Sequence, residues 1–180
     1  MAFLLLCGWA CQKHDLKNDL FSNDPGTRFL ALGKLSELSP EKKKILIPFF
    51  LESLNSNDPH VVDRAQDALK TAGETAVPDL NRALSDPNPY IRLSAAEVVA
   101  QMGVDVPGVV QALAKALEDP HPLIREEAGL ALGRSEETIG LLILALQEKN
   151  KDVSQSAAKV LKLLNSPAAR EALRKYRKTS

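Results

Sequence analysis

The residues able to do chemistry in this chain are few and stand apart. His14, His60 and His121 share no His-x-x-x-His or His-Glu pair, and no Cys-x-x-Cys exists. The short spacing that puts metal ligands on one face is therefore missing. His60 and His121 each follow an Asp-Pro step and read as turn residues. No Gly-x-Ser-x-Gly elbow presents a nucleophile, and Gly103 and Gly133 read as helix C-terminal turns rather than parts of a phosphate loop. Both cysteines, Cys7 and Cys11, fall within the first eleven residues, which leaves the rest of the chain without a disulfide framework. The pattern names no catalytic residue, no metal and no cofactor.

One charged constellation does recur. Asp24, Asp58, Asp86 and Asp119 are each followed by Pro, at spacings of 34, 28 and 33 residues. Arg28, Arg64, Arg92 and Arg125 follow their Asp by four to six residues. Periods in this range mean stacked helical repeats. In a fifth passage the pair lapses to Glu148 and Ser154, as at an end unit.

The elements that must carry these charges can be read from the same repeats. Pro48, Pro78, Pro107 and Pro167 each sit by an apolar run, with Gly140 in the fourth unit. Ile47-Pro48-Phe49-Phe50-Leu51-Glu52-Ser53-Leu54 aligns without gaps to Val77-Pro78-Asp79-Leu80-Asn81-Arg82-Ala83-Leu84. Proline is tolerated in a helix's first turn, so these prolines are expected to start the second helix of each unit. The first halves show apolar residues three to four apart: Ile91, Ala95, Val98, Val99, and Ile124, Ala128, Ala131, Leu132. That is the stripe of a helix with one buried face. Each unit is therefore an αα-hairpin, in which Asp caps a helix start and Pro stops the preceding helix. An isolated hairpin cannot cover its own apolar face, so the units must stack. The expectation is an all-α, right-handed α-solenoid of about five hairpins, over residues 23–56, 57–84, 85–117, 118–146 and 147–178.

The run Asp86-Pro87-Asn88-Pro89-Tyr90-Ile91-Arg92-Leu93-Ser94-Ala95-Ala96 and the closing Val77-Pro78-x-Leu80-x-x-Ala83-Leu84 carry a family resemblance. The chain resembles HEAT repeats, in the short class similar to phycobilisome-lyase-type proteins. That resemblance implies an Arg–Asp ladder between hairpins, made by Asp24, Arg28, Asp58, Arg64, Asp86, Arg92, Asp119 and Arg125. Charge-assisted bonds of this kind are directional and fix a stacking angle. It also implies a concave wall of second helices that meets another protein. On that wall the register places Phe49, Glu52, Asp79, Arg82, Gln111, Lys115, Leu142 and Ile143. The apolar run Ile139–Leu146 is then either covered by the fifth unit or a binding patch.

Composition limits the partner. The 44% hydrophobic and 4% aromatic content suits helices packed through Leu, Val and Ala, and Asp and Glu balance Lys and Arg at 23 each. A nucleic-acid binder needs a basic face, so no nucleic-acid partner is expected. The basic residues Arg170, Arg174, Lys175, Arg177 and Lys178 read as a solvated last helix whose cations complement its dipole, against the alternative of an anion patch.

Met1 to Ala10 is apolar and ends in small residues before Cys11. It resembles a bacterial lipoprotein signal, which implies lipidation of Cys11, residues 12–22 as a polar tether, and a place in the cell envelope. The alternative is an apolar helix packed on the first repeat in a cytoplasmic protein. Ten residues are too few to span a bilayer. The resulting expectation is a non-enzymatic scaffold for another protein; the alternative is a subunit of a lyase or hydroxylase of the HEAT-like type.

Overall fold

The computed structural model describes residues 16–179. After a helical segment at residues 16–20 come ten α-helices and no strand among the described residues. They are α1 (Pro25–Ser36), α2 (Pro40–Ser53), α3 (Pro59–Ala72), α4 (Val77–Ala83), α5 (Pro89–Met102), α6 (Val109–Ala116), α7 (Pro122–Leu132), α8 (Glu136–Ala145), α9 (Lys151–Leu164) and α10 (Pro167–Thr179). A 3-10 turn, Gly73–Ala76, precedes α4. The fold is an all-α solenoid. The chain divides into two compact units, Met1–Ala76 and Val77–Ser180.

First helices begin by one rule. Asp24, Asp58, Asn88 and Asn150 are N-caps whose side chains accept from backbone N–H groups of the first turn. Proline fills the first helical position of α1, α3, α5 and α7, where its missing N–H costs nothing. This corrects the register expected from Asp-Pro. Asp86 and Asp119 lie two residues before the caps Asn88 and His121, and each carboxylate accepts the cap's own N–H at 2.8 Å. Ser22 and Ser56 do the same for Asp24 and Asp58 at 3.1 Å. A second proline decides the shift. Pro89 and Pro122 preset the helical φ, and the residue before each is held extended.

Among the second helices Pro78 lies in the first turn of α4 and Pro167 opens α10 as expected, but other units depart. Pro48 lies inside α2, which starts at Pro40. The 3-10 turn takes the corresponding place before α4. Gly140 is likewise inside α8.

In the first unit α1 and α2 both pack on α3. Leu16 and Leu20, one helical turn apart, are buried with Leu35, Leu46, Ile47 and Phe50. Phe21 meets Phe49 edge-on at 5.2 Å and stacks on Phe50 at 6.5 Å. Residues 16–22 are thus packed structure, not the tether expected there, because Leu16, Leu20 and Phe21 form an apolar stripe. Cys7, Cys11 and His14 lie outside the described residues.

In the second unit α5, α7 and α9 pack side by side, α4 rests on α5 and α6, and α10 closes on α8 and α9. Small side chains permit the close approach, with Ala95, Ala96 and Ala128 fully buried. The apolar run of α8 is mostly covered: Ile139, Leu142, Ala145 and Leu146 are buried, whereas Leu144 is 61% exposed. Among the described residues no helix is long and apolar enough to cross a membrane.

Candidate functional site

The arginines act first on loop carbonyls. Arg28 Nη1 donates to Ser22 O at 2.6 Å. Arg92 Nη1 donates to Asp86 O at 2.9 Å and Pro87 O at 3.2 Å. Arg125 Nη1 repeats this with Asp119 O at 2.7 Å and Pro120 O at 2.8 Å. In each case the guanidinium reaches back over the start of its own helix and satisfies carbonyls that the turn leaves open. The shared position is four residues after the N-cap, which in α3 is Val62. Arg64 is therefore out of register. It donates instead to Phe21 O at 2.7 Å and to Asn23 Oδ1 at 2.9 Å.

The expected ladder of Arg–Asp side-chain bonds is made at one place among its eight residues. Arg92 Nε and Nη2 grip the Asp119 carboxylate at 2.8 and 3.3 Å. Both side chains are withdrawn from water, at 15% and 5% exposure. The Asp119 hydrogen bond raises the Arg92 guanidinium above its already high value, against the opposing effect of burial. Asp24 and Asp58 serve their helix caps, and the Asp86 carboxylate holds Asn88. The Thr27 hydroxyl and N–H hold the Asp24 carboxyl below the usual carboxylate value. Arg125 Nε meets Ser156 Oγ of α9 at 2.9 Å instead of a carboxylate. This cluster is structural: its polar atoms are occupied by one another.

The residues expected on the partner wall divide into three groups. Glu52, Arg82, Gln111 and Lys115 are exposed, although Arg82 bonds Asp79 and Lys115 Nζ crosses from α6 to Asn81 O of α4 at 3.0 Å. Phe49 and Asp79 are half-buried, and Lys17 Nζ sits 4.0 Å from the Phe49 ring centre. Leu142 is fully buried and is a core residue, not a surface one. Its spacing from Ile139, Ala145 and Leu146 puts all four on the buried side of α8. His60 is exposed in the first turn of α3 rather than in the turn expected of it, while His121 is half-buried with Nδ1 unbonded to protein.

Ile143 belongs to a cleft. Between the end of α8 and the middle of α10 lies a space of about 490 Å³, lined by Ile143, Leu146, Gln147, Glu148, Ala172, Lys175 and Tyr176. Its floor is apolar and its edge charged. Sequence reasoning reached Ile143 and Lys175 but missed Ala172 and Tyr176. A tyrosine one turn after a buried alanine, in an otherwise arginine- and lysine-rich helix, was the available signal. Among the described residues no three His, Cys, Asp or Glu side chains converge as metal ligands do.

The repeat signature is decided by comparison with known families. The sequence profile of HEAT repeats matches residues 47–133 and again 110–180. The chain belongs to the HEAT-repeat family. This HEAT-repeat protein is similar in fold to the complex of CpcE and CpcF of phycocyanin lyase from Nostoc sp. PCC7120. The TM-score is 0.54 at 22% identity, over 75% of this chain and 88% of that one. A Crescerin TOG domain aligns with TM-score 0.50 at 18% identity, over 92% of this chain and 82% of that one. At these identities the likeness concerns the HEAT fold alone. No curated protein sequence matches the chain.

Proposed function

We propose that this HEAT-repeat protein is a non-enzymatic scaffold that binds another protein through its second helices. The observation that carries the reading is the cleft between α8 and α10, where an apolar floor and charged edge are open to a partner. Such a combination suits recognition, since apolar anchors supply affinity and the polar rim supplies orientation. The Asp and Arg side chains that recur along the chain are engaged in caps and loop bonds.

Photo-crosslinking in the native host tests the reading. A photoreactive side chain at Gln111 or Ile143, on second helices, is expected to capture one shared partner. The same group at Asp63 or Gln155, on first helices, is expected not to. Capture from the first helices alone would overturn the assignment, and stoichiometric iron or zinc in the purified protein would overturn its non-enzymatic character.

A bacterial lipid tether at Cys11 is part of the same proposal and rests on the sequence of residues 1–11. It is expected to add lipid mass at Cys11 and to send the protein into the detergent phase. Cys11→Ser is expected to abolish both. Unmodified, aqueous-phase protein from the native host would remove the tether and leave a cytoplasmic scaffold.

A further inference from the structure

The two most exposed large apolar side chains of the first compact unit are adjacent: Phe29 of α1 is 77% exposed and Leu30 65%. They stand five and six residues after the N-cap Asp24. The same positions hold Asp63 and Arg64 in α3, Glu126 and Glu127 in α7, and Gln155 and Ser156 in α9. In α5 they hold Leu93 and a buried Ser94. The sixth position otherwise meets the preceding repeat, as when Arg64 donates to Phe21 O and Ser156 accepts from Arg125. Among the first helices α1 alone presents two large apolar groups there. Its face stays open along the helix, since a Cβ on Gly33, one turn beyond Phe29, would meet nothing within 4 Å. Exposed apolar residues scattered singly are ordinary, but an adjacent pair at positions that are polar in three sister helices suits a neighbour other than water.

The place of α1 in the chain says which neighbour. Four residues, Gln12 to Asp15, separate Cys11 from Leu16, which is already packed at 8% exposure. Five residue steps reach at most about 18 Å when fully extended. The turn that follows is fastened to α1: Asp19 lies 3.6 Å from Lys34 Nζ, and Ser22 O accepts from Arg28 Nη1 at 2.6 Å. A lipid at Cys11 therefore keeps α1 beside the bilayer. Linkers this short give effective concentrations of about millimolar, at which a contact too weak to act alone is occupied. Arg28 and Lys34 are the charges of α1, which contains no acid to be repelled by anionic lipid. A second copy is the poorer occupant, because one 12-residue helix from each side falls short of the roughly 1,000 Å² that a specific interface buries.

We propose that α1 is the helix that meets the membrane: with Cys11 acylated, Phe29 and Leu30 enter the boundary between headgroups and acyl chains. Interfacial helices bind in this way, with the apolar face sunk a few ångströms and the rest in water. The lipid is the anchor, and α1 fixes which side of the first unit rests on the bilayer. The inference rests on the tether reading above and adds the surface through which the tethered unit touches lipid.

Collisional quenching of a fluorescent probe on the protein from its native host tests it. Gly33→Cys puts the probe on the open face while keeping Phe29 and Leu30, and Lys162→Cys puts it on α9. With residues 1–10 removed and Cys11 acylated, as the tether requires, the new thiol is the one left to label. In vesicles of phosphatidylethanolamine and phosphatidylglycerol, quenching of the Gly33 probe by acrylamide is expected to fall about fivefold, as for groups held at the headgroup boundary. Lipids brominated near the headgroup should quench it instead. The Lys162 probe should show neither change. Phe29→Ser with Leu30→Ser should restore acrylamide quenching at Gly33 and leave helical circular dichroism and detergent partitioning as they were. A lipidated protein whose Gly33 probe stays open to acrylamide would sink this inference and leave the tether standing. Equal shielding at Lys162 would overturn it too, as would shielding that survives the double serine substitution. A dimer in sedimentation that the same substitution dissolves would give the face to a second copy and overturn it. Protein without lipid at Cys11, read by mass, would remove the tether and this inference together.

Discussion

Two joints in the second compact unit use the same arginine differently. At the α5–α7 joint Arg92 holds its own loop carbonyls and also the Asp119 carboxylate of the next repeat. At the α7–α9 joint Arg125 holds the equivalent carbonyls but finds a serine hydroxyl across the joint. The backbone contacts are the constant and the cross-joint ion pair is the variable. Arg125 is nonetheless the more buried arginine, 6% exposed, so carbonyl oxygens and one hydroxyl suffice to hold a guanidinium there. The two helices facing these joints also differ. Where α5 has Ala96 and Ala100, α7 has Gly129 and, at its C-cap, Gly133. A Cβ on Gly129 would stand 2.8 Å from Val160 Cγ2. At the joint where the arginine meets no carboxylate, Val160 packs directly against the backbone of Gly129.

Removing Arg92 should break the comparison most severely. Arg92→Ala leaves the Asp119 carboxylate, 5% exposed, without its counterion. Breaking a buried pair from one side costs about 3–5 kcal/mol. Asp119 keeps its bond from the His121 N–H, so the lower end, about 3 kcal/mol, is expected in urea unfolding followed by circular dichroism. Arg92→Lys should recover less than half, because one ammonium cannot replace the guanidinium's fork across carboxylate and carbonyls. A loss below about 1 kcal/mol would mean that neither the ion pair nor the loop-carbonyl bonds of Arg92 set the strength of this joint.

Gly129→Ala tests the other joint. Alanine is favoured over glycine inside a helix by about 1 kcal/mol. The β-branched Val160 cannot easily swing aside, and overpacking costs about 1–3 kcal/mol. A net loss of about 1 kcal/mol is expected, and in a Val160→Ala background the same substitution should cost nothing further. Independent, additive effects of the two substitutions in a double-mutant cycle would show that the close approach is not what limits this joint.

These two joints also show what the sequence could and could not disclose. Periodicity disclosed the hairpins, because Ile91, Ala95, Val98 and Val99 carry their spacing openly. The Asp-Pro dipeptide disclosed the period but misplaced the register. The same two letters serve as cap and first turn in α1 and α3, and as the turn before the cap ahead of α5 and α7. Only the second prolines, Pro89 and Pro122, distinguish the cases. The ladder was overstated for the same reason: an arginine near each Asp does not say whether it meets a carboxylate or a carbonyl. Leu142 was misplaced because a helix apolar on every side carries no phase. Of the cleft, Ile143 and Lys175 were legible, but a space between two helices separated by a third depends on packing that no local pattern encodes.

Ser156→Asp sharpens the comparison by offering Arg125 a carboxylate across its joint, from within α9 rather than from the loop position that Asp119 holds before α7. Its carboxylate would enter beside Arg125 Nε, which now donates to Ser156 Oγ at 2.9 Å. With Arg125 already positioned by Asp119 O and Pro120 O, a charge-assisted bond should replace a neutral acceptor. A stabilisation of about 1 kcal/mol is expected in the same unfolding assay, within the range for hydrogen bonds to charged groups. Destabilisation would show that the α7–α9 joint leaves no room for the longer side chain, and that packing excludes the pair there.

The smallest effect concerns the ion pair that the α7–α9 joint does possess. Lys159 Nζ meets Glu126 Oε2 at 2.6 Å, but its side chain is 61% exposed. Exposed pairs contribute about 0–1 kcal/mol and are screened by salt. Glu126→Gln should therefore cost about 0.5 kcal/mol at low ionic strength and nothing measurable in 1 M sodium chloride. The Arg92→Ala loss should survive the same salt almost intact, because its partner is out of water. If both losses faded together, Asp119 would be reached by solvent ions and the distinction between a buried and a surface joint would fail. If neither faded, the Lys159–Glu126 contact would be acting through the packing of its aliphatic stem rather than its charge.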